Sequence, residues 1–437
     1  MRHPHNGVGE EVSLMFTKKT DKSISAEAVL SGRSVIAAGR SSVRLSTLVL
    51  TFYIAILPIS SALSGLIPVS SIPAILSFLY IALSFVEMLV ARDFKIEKNL
   101  VPVYLFFVYI MLSPVWNYDF EFGWFEQTYF VTLMIIIFSS VRRYSDMELK
   151  LIKFSFYCCI IIAVLSSIFF SYVRGGRMYI DIACVMDPND FATSLTMTFA
   201  LCLTELKKPN RIMLNGLCLI TILLIVYLTG SRGGLLAMLC IIFVWVLSIK
   251  GRTKYIFLTL MIAAVALLLF CAEYGIGPAL IKRFAISSLL KSGGTGRAEI
   301  WKAAWARFVT LDPFHMIFGN GLGGFIDTVR YVAIGNDYRY SSHNMFISTL
   351  IEGGIVGLFL FISAFVSLYI HAIKKKNLFG VLAVTGLIVS GISLDAQILR
   401  MFAIACAVAL IWRDTDYDKM NRVNSPTLKE CCKHEED

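Results

Sequence analysis

Long apolar runs separated by short polar segments recur along the chain from residue 46 to residue 412. A helix rises about 1.5 Å per residue, so roughly 20 apolar residues cross the ~30 Å hydrocarbon core of a bilayer. Reading the runs between charged punctuation places spans near 46–65, 71–91, 99–115, 124–141, 148–171, 190–205, 211–229, 233–249, 254–274, 345–371, 378–394 and 396–412. The expected fold is all-α, a polytopic membrane protein of about 12 transmembrane helices with a large extracytoplasmic loop containing amphipathic helices. The chain then divides into a cytoplasmic tail (1–45), helices one to nine (46–274), the extracytoplasmic loop (275–343), helices ten to twelve (344–412) and a second cytoplasmic tail (413–437).

Composition agrees with the pattern. Hydrophobic residues make up 57% of the chain and charged residues 16%, which excludes a single water-soluble domain. The first 45 residues are polar and basic (Lys18, Lys19, Arg33, Arg40, Arg44), without the short apolar core and small-residue site of a signal peptide. Of the ten cysteines, Cys158, Cys159, Cys202, Cys218 and Cys240 lie in apolar runs, and Cys431 and Cys432 in the polar C-terminal tail. Neither a disulfide framework nor a metal cluster follows from that placement. A net charge of +10 would suit a nucleic-acid binder in a soluble protein, but here most of it sits in short loops between spans. No nucleic-acid partner is expected.

With the N-terminus inside, the cytoplasmic loops are Arg92–Lys98, Val141–Lys150, Glu205–Arg211, Lys250–Lys254 and His371–Asn377, each rich in Lys or Arg. The 116–126 loop, with Asp119, Glu121 and Glu126, is acidic and external. An odd number of spans would break this agreement. The long insert 275–343 falls outside, and it is basic: Lys282, Arg283, Lys291, Arg297, Lys302, Arg307, Arg330 and Arg339 outnumber its acids. Long loops escape the positive-inside bias, so this charge asks for an anionic partner at the membrane surface, either lipid-linked phosphates or simply anionic headgroups.

Three segments could carry chemistry. Gly230-Ser231-Arg232-Gly233-Gly234 places a cation where a helix begins, an end that welcomes anions. Gly233 and Gly234 allow close backbone approach, and Arg232 adds a planar fork, which together make a phosphate seat. An arginine snorkelling to headgroups fits the same position. Gly294-Thr295-Gly296-Arg297-Ala298-Glu299-Ile300-Trp301 opens an amphipathic helix whose apolar stripe is Ile300, Trp301, Ala304, Phe308 and Leu311. Arg297 falls in that stripe, where a charge is costly unless paired with an anion or with an acid such as Asp395. Ser341-Ser342-His343-Asn344 precedes the 345–371 span; His343 could take a proton from an attacking hydroxyl or serve only structurally. The outer segments hold no Asp-x-Asp pair and no His/Cys cluster of ligand spacing, so no metal and no other cofactor is indicated.

These segments, in this order, resemble the O-antigen ligase and O-antigen polymerase superfamily of bacterial membrane glycosyltransferases. The resemblance covers mainly residues 174–400. It rests on Leu228-Thr229-Gly230-Ser231-Arg232-Gly233-Gly234, on the Gly-Thr-Gly-Arg-x-x-x-Trp element ending at Trp301, on His343-Asn344 followed by Glu352-Gly353-Gly354-Ile355-Val356-Gly357, and on Asp187-Pro188-Asn189-Asp190-Phe191. It implies a GT-C-like, metal-independent transfer of glycan from an undecaprenyl diphosphate carrier to an acceptor hydroxyl at the outer leaflet of the inner membrane. Arg232 and Arg297, with Gly233 and Gly234, would hold the diphosphate; His343 would activate or orient the acceptor; Asp187, Asn189, Asn344 and Glu352 would bind the acceptor or support the site. The implied partners are the lipid-linked oligosaccharide, a glycan or lipid A-core acceptor, and membrane lipids. A polytopic transporter or lipid-linked oligosaccharide flippase is the competing class, although such proteins usually carry ionisable residues at mid-depth, where these spans have almost none.

Overall fold

The computed structural model describes residues 43–64, 66, 71–91, 97–116, 124–276, 279–291, 296–330 and 341–412. Most of both tails, Asp119 and Glu121 of the acidic loop, Gly294, Thr295, Arg339, Cys431 and Cys432 lie outside the described residues.

The fold is helical, as the apolar periodicity predicts. In chain order the main helices are α1 (Leu45–Ala55), α2 (Ile72–Ala91), α3 (Val101–Leu112), α4 (Trp124–Val141), α5 (Asp146–Phe169), α6 (Pro188–Ser194), α7 (Thr196–Glu205), α8 (Ile212–Thr229), α9 (Arg232–Leu247), α10 (Thr253–Glu273), α11 (Ile286–Lys291), α12 (Arg297–Phe308), α13 (Pro313–Phe318), α14 (Phe325–Arg330), α15 (Met345–Lys374), α16 (Leu378–Gly391) and α17 (Arg400–Ile411). Among the described residues, six helical stretches are long and apolar enough to cross a membrane: Ile72–Ala91, Lys98–Trp116, Asp146–Phe169, Pro209–Thr229, Thr253–Glu273 and Met345–Lys374. The other apolar helices are shorter. The expected span at 46–65 stops at Ala55 and tightens into a 3-10 turn at Leu57–Ile59, where Pro58 cannot continue an α-helix. The span expected at 190–205 is broken at Leu195 into α6 and α7.

Local chemistry sets the boundaries. Ser145 and Glu148 form a reciprocal capping box that starts α5. Gly230, left-handed at φ 60°, ends α8, and Ser231 caps α9 through Gly234 N at once. Between α5 and α6 lies an antiparallel sheet of β1 (Ser171–Arg174), β2 (Arg177–Asp181) and β3 (Val185–Met186), in the order β1-β2-β3. The apolar pattern of the spans had not foretold it.

The core joins α3, α15 and α17 through rings: Phe106 meets Phe361 at 4.7 Å, Phe361 meets Phe365 at 4.9 Å, and Phe402 stacks on Phe361 at 6.3 Å. By contrast α2 and α10 leave most of their apolar side chains exposed, as lipid-facing helices do. Charges near span ends are paired. Glu148 takes Arg44 Nε at 3.0 Å and Arg142 Nη2 at 3.4 Å, Glu87 takes Arg142 at 3.2 Å, and Glu205 takes Lys153 at 2.5 Å and Arg211 at 3.3 Å. These clusters lie at the helix ends expected to be cytoplasmic.

Helix α15 is interrupted at Gly354 (φ 66°, ψ −166°). The segment after α13 fills the break: Asn320 N and Nδ2 each donate to Ile351 O at 3.0 Å, Gly321 N donates to Glu352 O at 2.9 Å, and Tyr109 Oη lies 2.7 Å from Phe318 O and 2.8 Å from Gly353 O. A Cβ on Gly319 would stand 2.2 Å from Glu352 O, and one on Gly354 2.4 Å from Ile317 O, so only glycine permits this approach. The insert thereby docks on the helix that follows it.

Candidate functional site

The docked insert brings α12 over the start of α15. Ile300, Ala304 and Phe308 are buried against Phe325, Val329 and Ile351, with Trp301 and Leu311 partly buried beside them, so the apolar stripe read from the sequence is the packing face. Trp301 Nε1 donates to Ser342 O at 2.9 Å. This one bond ties the Gly-Thr-Gly-Arg-x-x-x-Trp element to the Ser-Ser-His-Asn element.

His343 stands in the left-handed region at φ 49°, a conformation that costs a non-glycine residue about 1–3 kcal/mol. Asp395 holds it there. Its carboxylate accepts from Ser342 Oγ at 2.5 Å, His343 N at 2.9 Å and Asn344 N at 3.3 Å. Asn344 then caps α15 through Phe346 N and Ile347 N, and its Nδ2 donates to Ile392 O at 3.1 Å. Asp395 is therefore the keystone of the histidine turn and forms no ion pair with Arg297 among the described residues.

A second network fixes the opposite wall. Asp187 caps α6 through Asn189 N at 2.6 Å, and Pro188 occupies the first helical position, where its missing N–H costs nothing. Asn189 Oδ1 accepts from Ser231 Oγ at 2.9 Å and from Arg177 Nη2 at 3.0 Å, while Arg177 Nε donates to Thr229 O at 3.0 Å. Gly233 lies against the 392–400 segment, since a Cβ there would meet Ser393 Oγ at 2.2 Å. Gly234 lies 2.8 Å, by the same construction, from Ala192 Cβ.

Between these walls is a cavity of about 400 Å³ lined by Arg177, Asp187, Asn189, Gly230, Arg232, Gly233, Arg283, Arg297, Ile300 and His343. Arg232, Arg297 and His343, expected from sequence, thus share one cavity, with Asp187, Asn189 and Gly233. Asn344 and Gly234 support it from behind. Glu352 is elsewhere: it is buried in α15, with its carboxylate toward the backbone N–H groups of Gly323 and Phe325, and it braces the docked insert. Arg177 and Arg283 complete the lining. The signal for Arg177 in the sequence is the arginine pair 174 and 177 in the short outer segment before the Asp-Pro-Asn element; Arg283 stands out there only as part of the loop's basic charge.

Four guanidinium groups therefore face one space, and none is in an ion pair among the described residues. Arg232 Nη1 and Arg283 Nε are buried without a hydrogen-bond partner, an arrangement that costs free energy until an anion supplies acceptors. Burial, then the neighbouring Arg177 and Arg232 charges, pushes the Arg283 guanidinium below its usual pKa. Arg297 is lowered by burial and by the same two arginines, against the pull of Asp187 and Asp395. For His343 burial again leads: it depresses the imidazole pKa, Arg297 adds to the effect, and Asp395 and Asp187 oppose it. The imidazole is thus held neutral, and able to accept a proton, at neutral pH. Among the described residues no three His, Cys, Asp or Glu side chains gather as metal ligands.

A helical membrane protein with a cationic cavity and a neutral histidine at converging helix starts is the class these features define. Residues 217–362 match the family model described as O-antigen ligase, and this match supports the resemblance to the O-antigen ligase and polymerase superfamily. The apolar helices and this likeness together support a bacterial membrane protein similar to glycosyltransferases of ligase or polymerase type. The matched segment contains Arg232, Arg283, Arg297 and His343; Arg177, Asp187, Asn189 and Asp395 lie outside it. No curated protein matches the chain.

Proposed function

We propose that this protein transfers or polymerises glycan from an undecaprenyl-diphosphate-linked donor onto an acceptor hydroxyl at the outer leaflet of the inner membrane, in cell-surface polysaccharide synthesis. The observation that carries the proposal is the cavity in which Arg177, Arg232, Arg283 and Arg297 meet beside a neutral His343, with no ion pair to any of the four among the described residues. A diphosphate presents many acceptor oxygens to four planar forks, and it carries the negative charge released when the glycosidic bond breaks. In this reading the arginines seat the donor and stabilise the departing diphosphate, preorganised in a site of low dielectric. His343 takes the proton of the acceptor hydroxyl as its oxygen attacks the anomeric carbon. In this reading Asp187 and Asn189, in the cavity lining, bind the acceptor or support the site. Charge stabilisation by guanidinium groups leaves no step that requires a divalent cation.

Twelve spans with both termini inside is the topology that goes with this reading, and it sets the cavity on the extracytoplasmic side. Between polymerase and ligase we favour the polymerase, which needs no second kind of acceptor. A transporter or flippase gains no support, because the cavity's arginines sit on β2, at the starts of α9 and α12 and in the insert, rather than in the middle of a span. The test is purified protein with a lipid-diphosphate oligosaccharide and a chelator, scored for chain extension. Extension that survives chelation is expected; loss of it on chelation would sink the arginine-only site. In cells, deletion should leave single-repeat glycans if the protein polymerises and carrier-bound polymer if it ligates.

A further inference from the structure

The hairpin that delivers Arg177 to the cavity has a second set of side chains that the diphosphate reading does not use. Strands β1 and β2 turn through Gly175 and Gly176, both left-handed at φ 58° and 70°, the geometry of a tight two-residue hairpin. The register pairs Tyr172 with Tyr179 and Arg174 with Arg177. Alternation along each strand puts these four on one face and Met178 and Ile180 on the other. Met178 and Ile180 are buried, and β2 packs on α5, α6 and α8. The hairpin is therefore anchored by one face and presents the other.

The presented face is a built surface. The Tyr172 and Tyr179 rings stack at 5.5 Å between centroids with 14° between planes. The Arg177 guanidinium lies 6.0 Å from the Tyr179 ring, and Tyr179 is also within electrostatic reach of Arg283. Both arginines line the cavity, so the tyrosine pair begins where the arginine cradle ends. Tyr172 is 36% exposed. Arg174 and Arg177, directly opposite across the strands, repel one another, and that repulsion is relieved by a ligand that brings negative charge or acceptor oxygens to this edge.

We propose that the Tyr172–Tyr179 pair is a saccharide platform that receives the sugars attached directly to the diphosphate in the cavity. The C–H face of a pyranose is apolar with positive partial charge, and it complements the negative face of an aromatic ring. The ring hydroxyls then meet the tyrosine phenols and the guanidinium of Arg174. Continuity with the arginine cradle favours a glycan over lipid headgroups as the occupant. The inference rests on the proposed function, since the diphosphate fixes which sugars arrive.

The test compares two probes on the full-length protein in nanodiscs: undecaprenyl diphosphate bearing an oligosaccharide, and undecaprenyl diphosphate alone. For wild type, the sugar-bearing lipid should bind more tightly. Tyr172→Ala and Tyr179→Ala should each weaken the sugar-bearing lipid about tenfold and leave the bare lipid within about twofold. Tyr172→Phe, which keeps the ring, should restore the sugar-dependent gain. Equal weakening of both probes would mean that the tyrosines anchor the hairpin or sit among headgroups, and would overturn the platform. Unchanged affinity for both would overturn it as well. Failure of wild type to bind either lipid would instead remove the proposed function, and the platform with it.

Discussion

Arg297 follows Gly296, whose φ of 83° starts α12 without a side-chain cap, and its guanidinium points into a cavity that already holds three others. A cation in the first turn of a helix is disfavoured by the dipole, so its placement is explained by what it binds rather than by what it stabilises. Arg297→Ala is expected to reduce glycan transfer at least about a hundredfold, the usual loss when one preorganised charge donor is removed, while the protein still inserts and folds. Near-normal chain extension by that variant would contradict the role. Arg297→Lys should remain impaired, since an ammonium cannot reproduce the bidentate fork. His343 gives a prediction in pH. A base must be neutral, and a depressed pKa keeps it neutral to lower pH, so the acid limb of kcat/KM should fall below about pH 6.5, the ordinary histidine value. His343→Gln should lose most of the rate and that limb together; a limb midpoint above the ordinary value in wild type would contradict the assignment. Asp395 acts through the backbone. Asp395→Ala leaves the His343 N–H without its acceptor, at about 1–3 kcal/mol while it stays buried and unsatisfied. The substitution also removes the shared carboxylate from Ser342 Oγ and Asn344 N, which keep Asn344 O and Ser342 Oγ as partners. Its thermal midpoint and its rate should therefore fall together, unlike those of Arg297→Ala.

At the scale of elements, what the sequence made legible followed from period and punctuation. Spans such as 71–91 and 211–229 reappear within a residue or two as α2 and α8, because twenty apolar residues in lipid have few alternatives to a helix. The stripe of α12 was readable for the same reason, and the three chemistry-bearing segments were readable because an arginine or histidine beside glycines at a helix start is rare enough to notice. Other features were hidden for physical reasons. The β1–β2 hairpin is only a few residues long on each strand, too short for alternation to stand out against a neighbouring span. Asp395 contributes through acceptors to backbone N–H groups some fifty residues away, which no local pattern encodes. Glu352 follows the histidine on one motif, but its support of the docked insert depends on the break at Gly354, which no local pattern reveals. That docking yields its own prediction. Gly319→Ala should destabilise severely, since the left-handed φ of 83° and a Cβ 2.2 Å from Glu352 O both forbid a side chain. Gly216→Ala, with no atom within 4 Å of the added Cβ, should be tolerated. Thermal unfolding in detergent checks both, and a stable Gly319→Ala protein would mean that the insert does not seat in the break.

For the whole molecule, the cavity constrains the topology. Arg177, Arg232, Arg297 and His343 share one space, so an even number of membrane crossings must separate each from the next. The proposed spans satisfy this: 190–205 and 211–229 lie between Arg177 and Arg232, 233–249 and 254–274 between Arg232 and Arg297, and none between Arg297 and His343. The weak point is the broken helix pair α6–α7, which interrupts one of those crossings at Leu195. Its residues are nearly all buried, as are those of the short α16. Such helices are surrounded by protein rather than lipid, and bilayer thickness does not set their length. If α6–α7 crosses, Val173 at the hairpin and Lys250 after α9 are three crossings apart and lie on opposite sides. Both positions are exposed. Val173→Cys and Lys250→Cys, each in a background without the native cysteines, should therefore respond differently to a membrane-impermeant maleimide applied to spheroplasts. Val173→Cys should label at once, and Lys250→Cys only after permeabilisation. Labelling of both from the same side would show that the broken pair turns back within the membrane, and the cavity would then have to be reassigned to whichever face Val173 reports.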